Sequence, residues 1–143
     1  MIAPDPSPAP PSPGPPPALH GIGVDLVEIA RVAAIHERFG ARFAERVLGP
    51  LERAALAAER RPARFLAMRF AAKEAFVKAL GTGFRHGIAL HEIEVHKDPE
   101  GRPSLTLSGC AAKEAARRGA GPAHLSLSDE AGHALAFVVL ERR

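Results

Sequence analysis

Apolar positions change their spacing along this chain, and the changes mark out its elements. Between residues 63 and 80 they follow helical spacing: Phe65, Met68, Ala72, Phe76 and Leu80 form one stripe, while Ala67 and Ala71 share the opposite face with Glu74 and Lys78. A helix that is apolar on nearly all sides is buried, so the charges it carries need partners. Upstream, the pattern predicts a strand near 20–24 that turns into an amphipathic helix over about 26–37, then helices at 42–47 and 50–60. The second half reads mainly as strands. Ile93 and Val95 alternate with Glu92, Glu94 and His96, the run Asp98-Pro99-Glu100-Gly101 reads as a turn, and Leu105 and Leu107 alternate again, which together predict a hairpin. A short helix over 109–118 is stopped by Gly119, Gly121 and Pro122, and strands follow at about 123–128 and 134–140. The continuously apolar run Ala134 to Leu140 is expected at the centre of a sheet.

Composition narrows the class without naming it. A chain of 143 residues with 46% apolar content fits one folded domain. The sole cysteine, Cys110, rules out an intramolecular disulfide and a zinc cluster of several thiolates, which agrees with a reducing, cytoplasmic setting. No apolar run approaches the ~18 residues of a membrane span. Residues 1–18 hold nine of the fourteen prolines and are expected to form a disordered, Pro-rich N-terminal extension, leaving 19–143 as the domain. Without Asp5 of that extension, 19 basic side chains face 15 acidic ones, a formal charge of +4. Arginines crowd the early helices, from Arg31, Arg38, Arg42 and Arg46 on to Arg53, Arg60, Arg61, Arg64 and Arg69. Such a surface attracts phosphates or an acidic protein. Nucleic acid is set aside, because the segment lacks both interleaved aromatics and a recognition-helix motif.

Three groups of residues carry candidate chemistry. Glu74 and Lys78 lie one helical turn apart, which is also the spacing of an ordinary surface ion pair. Asp25 falls at the predicted strand-to-helix junction, where with Glu28 three residues on it has the form of a capping box as well as that of a site carboxylate. Gly21 and Gly23 do not open a dinucleotide fingerprint, because Leu26 stands where a third glycine belongs. On the strand from 124 to 128, His124, Ser126 and Ser128 point to one face and Leu125 and Leu127 to the other. The histidines show no zinc-ligand spacing.

The stretch Gly-Ile-Gly-Val-Asp-Leu-Val-Glu-Ile-Ala-Arg at 21–31, together with Arg-Phe-Ala-Ala-Lys-Glu-Ala-Phe-Val-Lys-Ala-Leu-Gly-Thr-Gly at 69–83 and His-Leu-Ser-Leu-Ser-Asp at 124–129, closely resembles the holo-acyl-carrier-protein synthases. These are small, bacterial-type phosphopantetheinyl transferases, and the resemblance spans roughly residues 19–143. It implies a compact α+β domain with helices packed on a mainly antiparallel sheet, assembled as a homotrimer with sites shared between subunits. It also implies transfer of the 4'-phosphopantetheine arm of coenzyme A to a serine of apo acyl carrier protein, releasing adenosine 3',5'-bisphosphate, in support of fatty-acid biosynthesis. Under this resemblance Asp25 and Glu74 are the ligands of Mg2+ and Lys78 stabilises the leaving phosphate. Arg69, Lys73, Lys78, Gly81, His124 and Ser126 are the expected coenzyme contacts, and Arg31, Arg38 and Arg42 the carrier-protein contacts. The general base stays open between Glu74 and Asp25. The Ala67, Ala71 and Ala75 surface is compatible with close approach by another subunit or by the chain itself.

Two other classes use the same equipment. One is a noncatalytic basic module binding an acidic protein, with Glu74 and Lys78 as a structural pair and Asp25 as a cap. The other is a metal-dependent phosphohydrolase acting on nucleotides. Neither accounts for three ordered motifs.

Overall fold

The helix expected from all-round apolar spacing is the spine of the molecule. In the computed structural model, which describes Gly14 and residues 18–143, it is α4, Pro62–Leu80, with thirteen buried residues on three sides. The Pro-rich extension lies almost wholly outside the described residues. Pro62 starts α4 where its missing N–H costs nothing, and Gly81 ends it at φ 85°, donating its N–H to Val77 and Lys78 carbonyls. Phe65, Met68, Ala72, Phe76 and Leu80 are all buried, and full burial of a side chain such as Phe76 contributes roughly 1.5–3 kcal/mol.

Against α4 lies a three-stranded antiparallel sheet in the order β1-β5-β4, made of β1 (Leu19–Glu28), β4 (Ala120–Glu130) and β5 (His133–Arg142). The apolar run is indeed central. The turn between β4 and β5 is two residues, Ala131 at φ 51° and Gly132 at φ 77°, both on the positive side that matches the twist of a hairpin. Before α4 come α1 (Ile29–Phe39), α2 (Ala41–Val47) and α3 (Pro50–Leu56). After it, a single 3-10 turn at Leu90–Glu92 leads to the hairpin of β2 (Ile93–Lys97) and β3 (Pro103–Leu107), whose turn is held by Asp98 accepting the Glu100 and Arg102 N–H groups. The helix α5, Gly109–Arg117, follows, with the Glu92 carboxylate accepting the N–H groups of Cys110 and Ala111 in its first turn.

Two sequence expectations shift. The predicted helix from 26 begins only at Ile29, because β1 keeps its ladder with β5 through Leu26↔Leu135, Val27↔Ala134 and Glu28↔His133. Tertiary pairing overrides the amphipathic pattern there, so Asp25 is mid-strand, opposite Ala136, and caps nothing. The helix predicted to 60 ends at Leu56.

Gly21 and Gly23 have a steric role. A Cβ on Gly21 would overlap the Ala79 carbonyl oxygen, and one on Gly23 the Ala75 carbonyl oxygen. The small-residue surface of α4 is therefore met by β1 of the same chain, backbone to backbone.

Glu114 on α5 receives Arg117 Nη2 at 2.6 Å and Arg118 Nε at 2.7 Å. Hydrogen bonds from Arg117, then Arg118, hold its carboxyl down to about 2 from an ordinary 4.5. A depressed folded value means the stabilisation is present above the unfolded value and lost as pH falls toward 2. Thermal melts of Glu114→Gln and the parent should therefore differ at pH 6 and converge as pH drops from about 4.5 toward 2. A gap that stays constant across that range would rule out this ion-pair contribution.

Candidate functional site

The extended β1 and the buried α4 bring the first two sequence motifs into contact. Lys78 donates from Nζ to Asp25 Oδ1 at 3.0 Å and to the Val24 carbonyl at 2.9 Å. Glu74, one turn back on α4, is half-buried next to the same carboxylate. The lysine thus pairs across to β1, where helical spacing alone offered Glu74 as its partner. Burial first, and then the Asp25 charge, push the Glu74 carboxyl above its ordinary value, with Lys78 opposing. Two carboxylates and one half-exposed ammonium at a strand-helix seam can hold a cation and a phosphate. Among the described residues no cluster of three or more His, Cys, Asp or Glu is placed to hold a metal ion.

Gly81 sits one turn past Lys78, exposed, with open space where a Cβ would stand, and Gly83 at φ 60° is equally open. The buried Thr82 between them bonds from its hydroxyl to the Gly83 carbonyl. The backbone of this loop is approachable next to Lys78.

Lys73 is a correction. Its side chain is 0% exposed and turns to the far side of α4, where Nζ donates to Glu52 Oε1 and to the Val47 carbonyl, both at 2.5 Å. Enclosed and paired there, Lys73 has no exposed surface to offer a coenzyme phosphate, contrary to what the motif led one to expect. Burial lowers its pKa, opposed by Glu52. Arg69, also expected at the coenzyme, lies on that same far side, buried, stacked over the Phe65 ring at 4.3 Å with Nε 3.6 Å from Glu52 Oε2. Both cations followed the motif in sequence, but an advance of one residue on a helix turns the side chain by about 100°, away from the Glu74 face.

His124 and Ser126 lie on β4 and point to the outer face of the sheet, the side opposite α4. His124 Nε2 is 2.5 Å from Glu141 Oε1 on the neighbouring strand. One chain therefore does not bring them to Asp25, Glu74 and Lys78. That outer face also exposes Ile22 at 62%, Val24 and Leu26 at 63% from β1, with Leu135 and Phe137 from β5.

Arg31 and Arg38 are exposed on α1 and Arg42 on α2. A sharp break at Gly40, φ 56° and ψ −132°, separates the two helices and opens a cleft of about 420 Å³ lined by Ile35, Phe39, Arg42, Phe43 and Arg46. Arg38 stacks on the exposed Phe39 ring at 5.0 Å. Arg46 and Phe39 join the arginine surface here. Arg46 was already visible among the early arginines, at i,i+4 spacing from Arg42, whereas nothing in the sequence pattern singled out Phe39.

Residues 21–138 match the family model of the 4'-phosphopantetheinyl transferase superfamily. The chain is 49% identical over 125 residues to the holo-[acyl-carrier-protein] synthase of Photorhabdus laumondii, covering 87% of this chain and 99% of that protein. Its fold superposes on the crystal structure of the Neisseria meningitidis holo-[acyl-carrier-protein] synthase with a TM-score of 0.82 at 39% identity, over 87% and 99% of the two chains. The Bacillus anthracis holo-(acyl-carrier-protein) synthase, solved in complex with CoA (3',5'-ADP), gives a TM-score of 0.73 at 35% identity, over 87% and 98%.

Proposed function

Because the chain belongs to the 4'-phosphopantetheinyl transferase superfamily, we infer that it works as a holo-acyl-carrier-protein synthase, moving the 4'-phosphopantetheine arm of coenzyme A onto a serine of apo acyl carrier protein. Adenosine 3',5'-bisphosphate is the leaving product. The observation that carries this reading is the meeting of Asp25, Lys78 and Glu74, contributed by two motifs about fifty residues apart, at one seam. A basic binding module has no use for that seam, and a nucleotide phosphohydrolase leaves the exposed arginine surface of α1 and α2 unexplained.

Asp25 and Glu74 are the residues that would hold a divalent cation, Mg2+ in our reading. Their donor set fits it: two neighbouring carboxylates, one of them half-buried, whose mutual repulsion a hard cation relieves. Bound there, the ion supplies neutralisation of the pyrophosphate oxygens. Lys78 directs its ammonium at the phosphate that departs, opposing the negative charge that builds on the leaving group. Glu74 or Asp25 takes the proton of the attacking serine. The open backbone at Gly81 lets coenzyme phosphate approach Lys78.

His124 and Ser126 reach a coenzyme only through a second copy of the chain. The apolar outer face formed by Ile22, Val24, Leu26, Leu135 and Phe137 supports a homotrimer in which they serve a neighbour's site, since exposed patches of this kind mark association surfaces. Carrier docking falls to Arg31, Arg38 and Arg42. The same reading places the protein in the cytoplasm, serving fatty-acid biosynthesis.

The test is the intact mass of apo acyl carrier protein after incubation with this protein, coenzyme A and magnesium. A gain of about 340 Da that disappears with chelator is expected; no gain with several competent carriers would overturn the reading. Charge reversal at Arg38 should raise the carrier KM about tenfold at low salt and less at high salt. An unchanged KM would remove Arg38 from the docking surface.

A further inference from the structure

Glu52, on α3, is the most deeply buried acid among the described residues, and the transfer chemistry makes no use of it. Its side chain is about 1% exposed. Oε1 accepts the Gly49 N–H at 3.0 Å and Lys73 Nζ at 2.5 Å, and Oε2 accepts the Val95 N–H at 3.1 Å, with Arg69 Nε at 3.6 Å. Lys73 in turn holds the carbonyl of Val47, the last residue of α2. One carboxylate therefore ties the end of α2, the turn into α3, the helix α4 and the strand β2 together. An ion pair this deep is poor at adding net stability, because removing both charges from water costs several kcal/mol per ion. What directional bonds do supply is geometry. Val47 and Leu48 are buried and set how deep α2 sits, while the bonds to the Val47 carbonyl and Gly49 N–H set its rotation and register.

Those are the coordinates that matter for Arg42 and Arg46, both exposed on α2 beside the cleft. Glu74, by contrast, is fixed to β1 by independent means: the glycine contacts of β1 with Ala75 and Ala79, and the bond from Lys78 to Asp25. Loosening Glu52 frees the arginine helix and leaves the seam with β1 intact. We infer that Glu52, acting through Lys73 and the Val47 carbonyl, is a positioning residue that sets the arginine-bearing α2 at a fixed place relative to Glu74, so that a docked carrier presents its serine in register. The inference rests on carrier docking at α2.

Two variants test it: Glu52→Gln, and the double variant Glu52→Gln with Lys73→Met, which removes both members of the buried Lys73–Glu52 pair should the single change fail to fold. Each is measured by far-UV circular dichroism, by calorimetric binding of coenzyme A with magnesium, and by steady-state transfer. The expected result is a folded protein that binds coenzyme A within about twofold of the parent and shows a carrier KM raised about tenfold, with a smaller change in kcat. A folded variant with unchanged carrier KM, or one whose coenzyme affinity falls in parallel, overturns the inference. Arg42→Glu is run beside them. If its carrier KM rises while that of a folded Glu52 variant does not, positioning fails and docking stands; if its KM is unchanged, docking at α2 fails and the inference goes with it.

Discussion

Glu74→Gln should fold as the parent does and transfer the phosphopantetheine arm about a thousandfold more slowly, equivalent to ~4 kcal/mol of lost transition-state stabilisation. The change keeps the shape of the side chain and removes the charge that, with Asp25, makes the seam anionic. Burial and the Asp25 carboxylate already disfavour ionisation of Glu74, so a neutral amide should be tolerated or even slightly favoured by the fold. Stability and activity are thus expected to move in opposite directions. The check is a thermal melt alongside the carrier mass assay at saturating magnesium. A variant that turns over normally at limiting magnesium would take Glu74 out of the cation site.

Gly23→Ala is expected to cost both stability and transfer, from a single methyl group. The added Cβ would overlap the Ala75 carbonyl oxygen, and the obstacle is helix backbone, which cannot rotate aside as a side chain would. Either β1 lifts from α4 or the helix bends, and Asp25, two residues along the strand on the same face, moves with it. About 3 kcal/mol of destabilisation, seen as a melting temperature roughly 10 °C lower, should accompany a loss of transfer that saturating magnesium does not restore. Full activity in Gly23→Ala would mean that the seam adapts more freely than packed backbone allows.

Much of this architecture was legible from residue patterns because it rests on local rules. The apolar face of α4, its stop at Gly81, the β2–β3 hairpin and the central place of β5 all follow from spacing and turn chemistry. The failures share a cause. Asp25 and Glu28 looked like a cap because the helix pattern begins early, yet cross-strand pairing with β5, more than a hundred residues away, keeps that segment extended. Lys78 looked like the partner of Glu74, and its actual partner comes from another element. Lys73 and Arg69 carried the charge a coenzyme phosphate wants, but their direction is set by Glu52, a residue that no local motif singles out. Gly21 and Gly23 were visible as unusual, while their reason, contact with a helix backbone, exists only in three dimensions.

The pairing of β1 with β5 also bears on how the protein is made. Glu28 meets His133 in the ladder, so the first strand waits for the last to leave the ribosome. At about 5–20 residues per second that delay is on the order of ten seconds, during which Ile22, Val24 and Leu26 have no sheet to join. The β4–β5 hairpin, by contrast, closes through a two-residue turn and can form at once. Synthesis thus delivers a ready template last, and Asp25 enters the site only when that template accepts its strand. A nascent chain stalled before β5 would carry every residue of the Asp25, Glu74 and Lys78 seam while lacking the surface on which the seam is assembled.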